Sequence, residues 1–212
     1  MRHTLKIKPA NRIGRARFPG CVVLLAVLIL APSVVAEQIQ VTLDPAQTTV
    51  DWTLGATLHT VHGTFKMKSG TIGFDPRTGT ASGLIIVDAT SGDSGNHSRD
   101  KKMHKEILES PRYPEITFTP ERVIGSVPPT GNTTIQVQGL LHIHGSDHEL
   151  TLSIPVEMKS NQLKANTSLV VPYQDWGMKD PSNFLLHVEK KVTVNVSTVG
   201  HLAQSNSVPA TH

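Results

Sequence analysis

The sequence has one cysteine in 212 residues, Cys21. It lies in an N-terminal segment read below as a cleaved leader, so the working chain has none. That excludes disulfides, a thiol nucleophile and thiolate metal sites; an oxidising compartment permits disulfides but does not require them. Long apolar runs are also missing. The unbroken run from Cys21 to Ala31 has 11 residues, whereas a helix needs roughly 20 to cross a bilayer core. Catalytic signatures are absent too. There is no Gly-x-Ser-x-Gly, no zinc-protease motif and no glycine-rich phosphate loop. The sequence therefore reads as a binding protein rather than an enzyme, with no catalytic residue, metal or cofactor assigned.

A working surplus of basic charge is missing as well. The whole chain has 20 Lys+Arg against 17 Asp+Glu, formally +3. Six of the basic residues (Arg2, Lys6, Lys8, Arg12, Arg15 and Arg17) and none of the acids lie in residues 1–36. Beyond residue 36 the balance is 14 basic to 17 acidic, or −3. Without a basic surplus to neutralise phosphates, nucleic acid is not an expected partner.

What is present begins with the leader. A basic stretch, the apolar run, the break at Pro32-Ser33 and the small-residue end Val34-Val35-Ala36 follow in the order of a secretory signal. Cleavage is expected after Ala36, leaving no transmembrane anchor. Cys21 begins the apolar run instead of following it, which argues against a lipidated N-terminus. The expected location is the periplasm, with secretion as the further destination. The remaining 176 residues suffice for one core without staples. The expected domain runs over 37–202, followed by a polar, disordered tail at 203–212. The oligomeric state is left at monomer or dimer.

Period-two alternation organises this domain. Over Thr133–His144, Ile135, Val137, Leu141 and Ile143 share one face, and Gln136, Gln138, His142 and His144 the other. A turn is expected at Gly145-Ser146-Asp147. His148–Met158 then places Leu150, Leu152, Ile154, Val156 and Met158 together. After a turn at Asn161-Gln162, Leu163–Val171 and Val188–Val199 alternate again. In the first half, Thr49–Leu54 and Thr64–Phe74 read as strands, with Phe65 and Met67 opposite Lys66 and Lys68. A turn follows at Asp75–Gly79. Thr80–Thr90 is apolar on both faces, which suggests an outer cover, and Glu115–Ile124 alternates. Residues 91–96 read as a loop. Ser98 would then cap a helix over 99–108, whose Met103, Ile107 and Leu108 could cover the doubly apolar strand. About eight strands with short turns predict an all-β fold, a closed antiparallel barrel with one short helix; a β-sandwich is the rival.

Several segments carry a resemblance. They are Asp51, Leu58-His59-Thr60-Val61-His62-Gly63-Thr64-Phe65, Arg99-Asp100-Lys101-Lys102-Met103-His104, and Leu108-Glu109-Ser110. Tyr113-Pro114-Glu115-Ile116-Thr117-Phe118, Gly139-Leu140-Leu141-His142-Ile143-His144-Gly145 and Asp175-Trp176-Gly177 follow in order. Over roughly Val50–Val199 the chain resembles the YceI-like family of exported lipid- or polyisoprenoid-binding proteins. It departs at Ser146-Asp147-His148-Glu149, where a Val-Thr-Lys-Pro-like turn is usual. The resemblance implies a lipocalin-like barrel that receives a polyisoprenoid or other long-chain amphiphilic lipid, for transport, storage or sequestration. The alternative is a filled barrel acting as a structural or interaction protein of the envelope.

The ligand-facing set expected from the inward pattern and the resemblance is Phe65, Met67, Phe118, Leu141, Ile143, Leu152 and Ile154, with Arg99 and Trp176 at the mouth. Arg99-Asp100 reads as an ion pair, a helix-start charge or a headgroup contact. Trp176 could line the mouth or plug one end. His142-x-His144 should face outward, and neither it nor His59-x-x-His62 forms a recognised metal motif.

Overall fold

The computed structural model describes residues 38–57, 59–182 and 187–204. The expected leader and its cleavage site lie outside the described residues, as does the tail beyond Gln204. Nine strands follow in order: β1 (Ile39–Leu43), β2 (Thr49–Gly55), β3 (Thr60–Phe74), β4 (Ala81–Asp93), β5 (Glu115–Ile124), β6 (Thr130–Ile143), β7 (Ser146–Lys159), β8 (Gln162–Val171) and β9 (Val192–Gln204). Helix α1 (His97–Lys102) and a π-helical turn (Met103–Ile107) interrupt them between β4 and β5.

The strands form a closed antiparallel barrel with eight wall positions. β1 and β2 share one position, because both lie between β3 and β9. β1 pairs with Thr71–Phe74 and Gly200–Gln204, and β2 with Thr60–Phe65 and Thr193–Ser197. Asp44-Pro45 breaks the two halves apart. The Asp44 carboxylate accepts from Ala46 N at 2.9 Å and Gln47 Nε2 at 2.6 Å, and proline opens the short 3-10 turn. β1 is absent from the reading by alternation, although Ile39, Val41 and Leu43 carry its period of two.

Two hairpin turns fall one residue earlier than expected. Ile143 pairs with Ser146, so the β6–β7 turn is His144-Gly145, with φ of 52° and 78°. Two positive-φ residues match the twist of a two-residue hairpin, and the glycine adopts that region without a Cβ penalty. Likewise Lys159 pairs with Gln162, and Ser160 turns with φ 58°. β4 continues to Asp93, shortening the expected 91–96 loop, and Ala203 and Gln204 extend β9 into the expected tail.

The helix also differs from expectation. Asn96, not Ser98, caps it, its Oδ1 accepting from Arg99 N at 3.1 Å. Nor does it cover the outside of β4. Leu84 is left 40% exposed, while Met103, Ile107 and Leu108 turn to the barrel interior.

The register places the connections at two ends. Short turns 75–80, 125–129 and 160–161 close the lower end. Both long connections, 94–114 and 172–191, leave from the upper end. One wall seam is incomplete. β7 pairs with β6 along its whole length, from Ser146 to Lys159, but with β8 only over Val156–Lys159. Above that ladder the two strands part, joined among the contacts described by Thr167 Oγ1 donating to Ser153 O at 3.2 Å.

Candidate functional site: an apolar cavity along the barrel

The inward residues do not fill the barrel. They surround a cavity of about 680 Å³ reaching from Val41, Leu43 and Phe74 at the lower end to α1 at the upper end. That is within the range of small-molecule sites, about 300–1,000 Å³. A hollow interior explains an otherwise odd burial pattern. Leu150, Leu152 and Ile154 face inward on β7 yet are only partly buried, because their inner surfaces border the cavity. Val156 and Met158, lower on the same strand, are buried.

Phe65, Met67, Phe118, Leu141, Ile143, Leu152 and Ile154 all line this cavity, and so does Arg99. Trp176 does not. It lies against the core from the rim, its indole stacked on His148 with centroids 3.8 Å apart and planes at 10°. Thus Trp176 neither lines the mouth nor plugs the barrel; with His148 it seals the upper edge of the β6–β7 hairpin. Burial lowers the His148 pKa, with His142 adding to the effect and Asp147 opposing it. Its Nε2 is buried without a partner among the described residues.

The upper end holds most of the polar lining: His59, Ser98, Arg99 and Lys102. Arg99 and Asp100 do not pair with each other. Both grip Ser94: Arg99 donates to Ser94 Oγ at 2.7 Å and Ser94 O at 2.8 Å, while Asp100 accepts from Ser94 N at 3.0 Å. The π-helical turn is bolted down by His104. Its Nε2 is 2.9 Å from Gly92 O and must donate there, which leaves Nδ1 to accept from Ser110 Oγ, also at 2.9 Å. Two lysines tie the lid to the second long connection. Lys102 Nζ donates to Pro181 O at 3.2 Å, and Lys179 Nζ pairs with Glu106 at 2.8 Å. That pairing holds the Glu106 carboxyl below the ordinary range.

His142 and His144 part company. His142 pairs with Asp147 at 2.6 Å on the exposed face. His144 occupies the turn, tilted against Tyr113 at 4.9 Å and 3.5 Å from Glu109, so it is half-buried instead of facing solvent. Among the described residues no group of three His, Cys, Asp or Glu is placed to hold a metal ion.

Trp52 and Tyr173 line the cavity and have no counterpart in the expected set. Tyr173 is buried, and its hydroxyl donates to Glu189 O at 2.8 Å. Trp52 shares parity with Val50 on β2, a signal that was legible. Tyr173 lies in a loop, where no period announces it.

The YceI-like domain profile matches residues 41–200. A UPF0312 protein of Pseudomonas savastanoi is 38% identical over 87 residues, 40% of this chain and 43% of that one, so the chain spans less than half the length of that relative. A UPF0312 protein of Pseudomonas putida is 26% identical over 163 residues, 73% of this chain and 83% of its own. Among solved structures, a polyisoprenoid binding domain from Saccharophagus degradans aligns with a TM-score of 0.61 at 15% identity, over 77% of this chain and 98% of its own. Burkholderia cenocepacia BcnA aligns at 0.60 and 17%, over 74% and 98%.

Proposed function

This chain belongs to the YceI-like domain family, and from that premise we propose that it encloses a long-chain amphiphilic lipid of the polyisoprenoid kind in its barrel. The observation that carries the reading is the continuous apolar cavity of about 680 Å³. Burying apolar ligand surface stabilises a complex by about 25 cal/mol per Å², and a preformed cavity keeps the ordering cost on the protein side low. The Saccharophagus degradans neighbour, a polyisoprenoid binding domain, supports the ligand class. The hollow interior weighs against a filled barrel with a purely structural role.

The protein would act as a carrier or store and not as a catalyst. The leader at residues 1–36 directs it to the periplasm in this reading. N-terminal sequencing of the exported protein then begins at Glu37, and an intact N-terminus in the membrane fraction would contradict export by cleavage.

The lipid reading is tested by adding bulk inside. Delipidated wild-type protein and Met67→Trp are incubated with a radiolabelled polyprenyl lipid and passed over a sizing column. Wild type retains lipid; the variant keeps its melting temperature within a few degrees and retains several-fold less. Wild-type retention no higher than that of a lipid-free control protein overturns the proposal.

A further inference from the structure

We propose that Trp52 is a ligand hydrogen-bond donor and that the enclosed lipid carries a neutral carbonyl oxygen at the end lying in the upper barrel. The inference rests on the lipid-binding reading above and specifies the chemistry of the ligand's head. Trp52 lines the cavity and is 5% exposed. Its indole N–H has no hydrogen-bond partner among the described residues. Buried indole N–H groups usually find an acceptor, and leaving one unpaired is costly.

The ring is held in place from more than one side. Trp52 stands opposite Gly63 on β3. A Cβ at Gly63 would come 2.3 Å from Cζ2 and 2.4 Å from Cε2 of the indole, so the ring lies over a residue that must be glycine. Phe65 flanks it, with ring centroids 6.5 Å apart. Phe65 in turn borders Gly92 beside Met103 of the π-helical turn, which places this group beneath the lid. The cavity lining contributed by β2 and β3 around Trp52 is apolar: Val50, Leu54, Val61 and Phe65.

The missing acceptor is best supplied by a neutral group. One indole offers a single donor and no charge. Arg99 spends its Nε and Nη2 on Ser94, and Lys102 donates to Pro181 O. A carboxylate or phosphate brought down to Trp52 would be desolvated against one neutral donor, which burial of charge penalises heavily. A carbonyl oxygen on an otherwise hydrocarbon chain needs only what Trp52 provides.

The test uses farnesylacetone, a terpenoid methyl ketone, and the hydrocarbon of the same skeleton lacking the oxygen. Calorimetric titration of the full mature protein should give roughly tenfold tighter binding of the ketone, the size of one well-made hydrogen bond. Trp52→Phe should erase that preference and leave hydrocarbon binding within about twofold. Folding of the variant is bypassed by a second readout on the Trp52 indole N–H. The chain has two tryptophans, so indole ¹⁵N–¹H spectra of Trp176→Phe report Trp52 alone, and its proton should shift downfield with the ketone only. Equal affinities, or an indole signal that does not distinguish the probes, would overturn the donor assignment while lipid binding stands. If neither probe binds wild type, both readings fall together.

Discussion

The imidazole of His148 lies flat on the indole of Trp176, ring centroids 3.8 Å apart, with its buried Nε2 unpartnered among the described residues. One ring comes from β7 and the other from the 172–191 connection, so the stack closes the upper rim only while His148 stays neutral.

Stability should therefore fall on mild acidification. Burial lowers the His148 pKa in the folded protein below the imidazole's ordinary value of about 6.5. The unfolded chain then binds more protons between those two values, and stability rises with pH across that window. Its full contribution is present above about 6.5 and is lost as pH falls toward the depressed folded value. The pairing of His142 with Asp147 at 2.6 Å acts in the opposite sense, since Asp147 favours a charged imidazole. Thermal melts of wild type and His148→Phe from pH 8 to 5 separate the two. Phenylalanine keeps the stack and cannot titrate, so wild type should lose melting temperature more steeply below pH 6.5. Parallel curves would refute the account.

Alternation made the barrel wall legible, because a half-buried strand writes its inward face into every second residue. Phe65, Met67, Phe118, Leu141, Ile143, Leu152 and Ile154 are therefore on the cavity surface. What alternation does not carry is whether an inward residue meets another side chain or open space. That depends on barrel radius and on what closes the ends, and both are set by long-range register. The same limit misplaced Trp176. Loop 172–191 has no period, and its course follows from contacts with His148, Glu106 and Lys102 on distant elements. The helix was found but turned the wrong way. Met103, Ile107 and Leu108 form an apolar stripe in the sequence, and only the direction of the connection decides whether it meets the outside of β4 or the mouth.

A hollow barrel and a filled one respond differently to shortening a side chain. Met158 is 3% exposed and packed at the lower end. Met158→Ala should cost about 2–5 kcal/mol, as for a filled core. Leu152 faces the cavity and is only partly buried, so Leu152→Ala forfeits less, about 1–2 kcal/mol. Urea denaturation of delipidated protein measures both. Loading with lipid should raise wild-type stability by mass action and widen the Leu152→Ala deficit, because the removed carbons then have a partner. Equal costs at the two positions without lipid would mean the interior is filled.

The seam between β7 and β8 gives lipid a way in that does not require lifting the lid. The two strands are laddered only from Val156 to Lys159 on β7 and from Gln162 to Ala165 on β8. Above it the strands part beside Leu150, Leu152, Ile154, Thr167 and Leu169, all of which line the cavity. The lid, by contrast, is held by His104 and by the two lysine contacts. Extending the ladder register upward would set Ser153 opposite Ser168, both exposed. The only cysteine of the chain is Cys21 in the leader, so a Ser153→Cys, Ser168→Cys pair in the mature protein can oxidise only with itself or between molecules. Closing that bond draws the strands to within disulfide reach, about 4.4–6.8 Å between Cα atoms. Stopped-flow uptake of a fluorescent polyprenyl probe, on monomer whose bond is verified by mass, should be about tenfold slower in the oxidised form and recover on reduction. Lipid bound before oxidation should be retained longer, since the same route serves release. If oxidised and reduced protein exchange lipid at one rate, the seam is not the route, and exchange passes through the lid at the upper end.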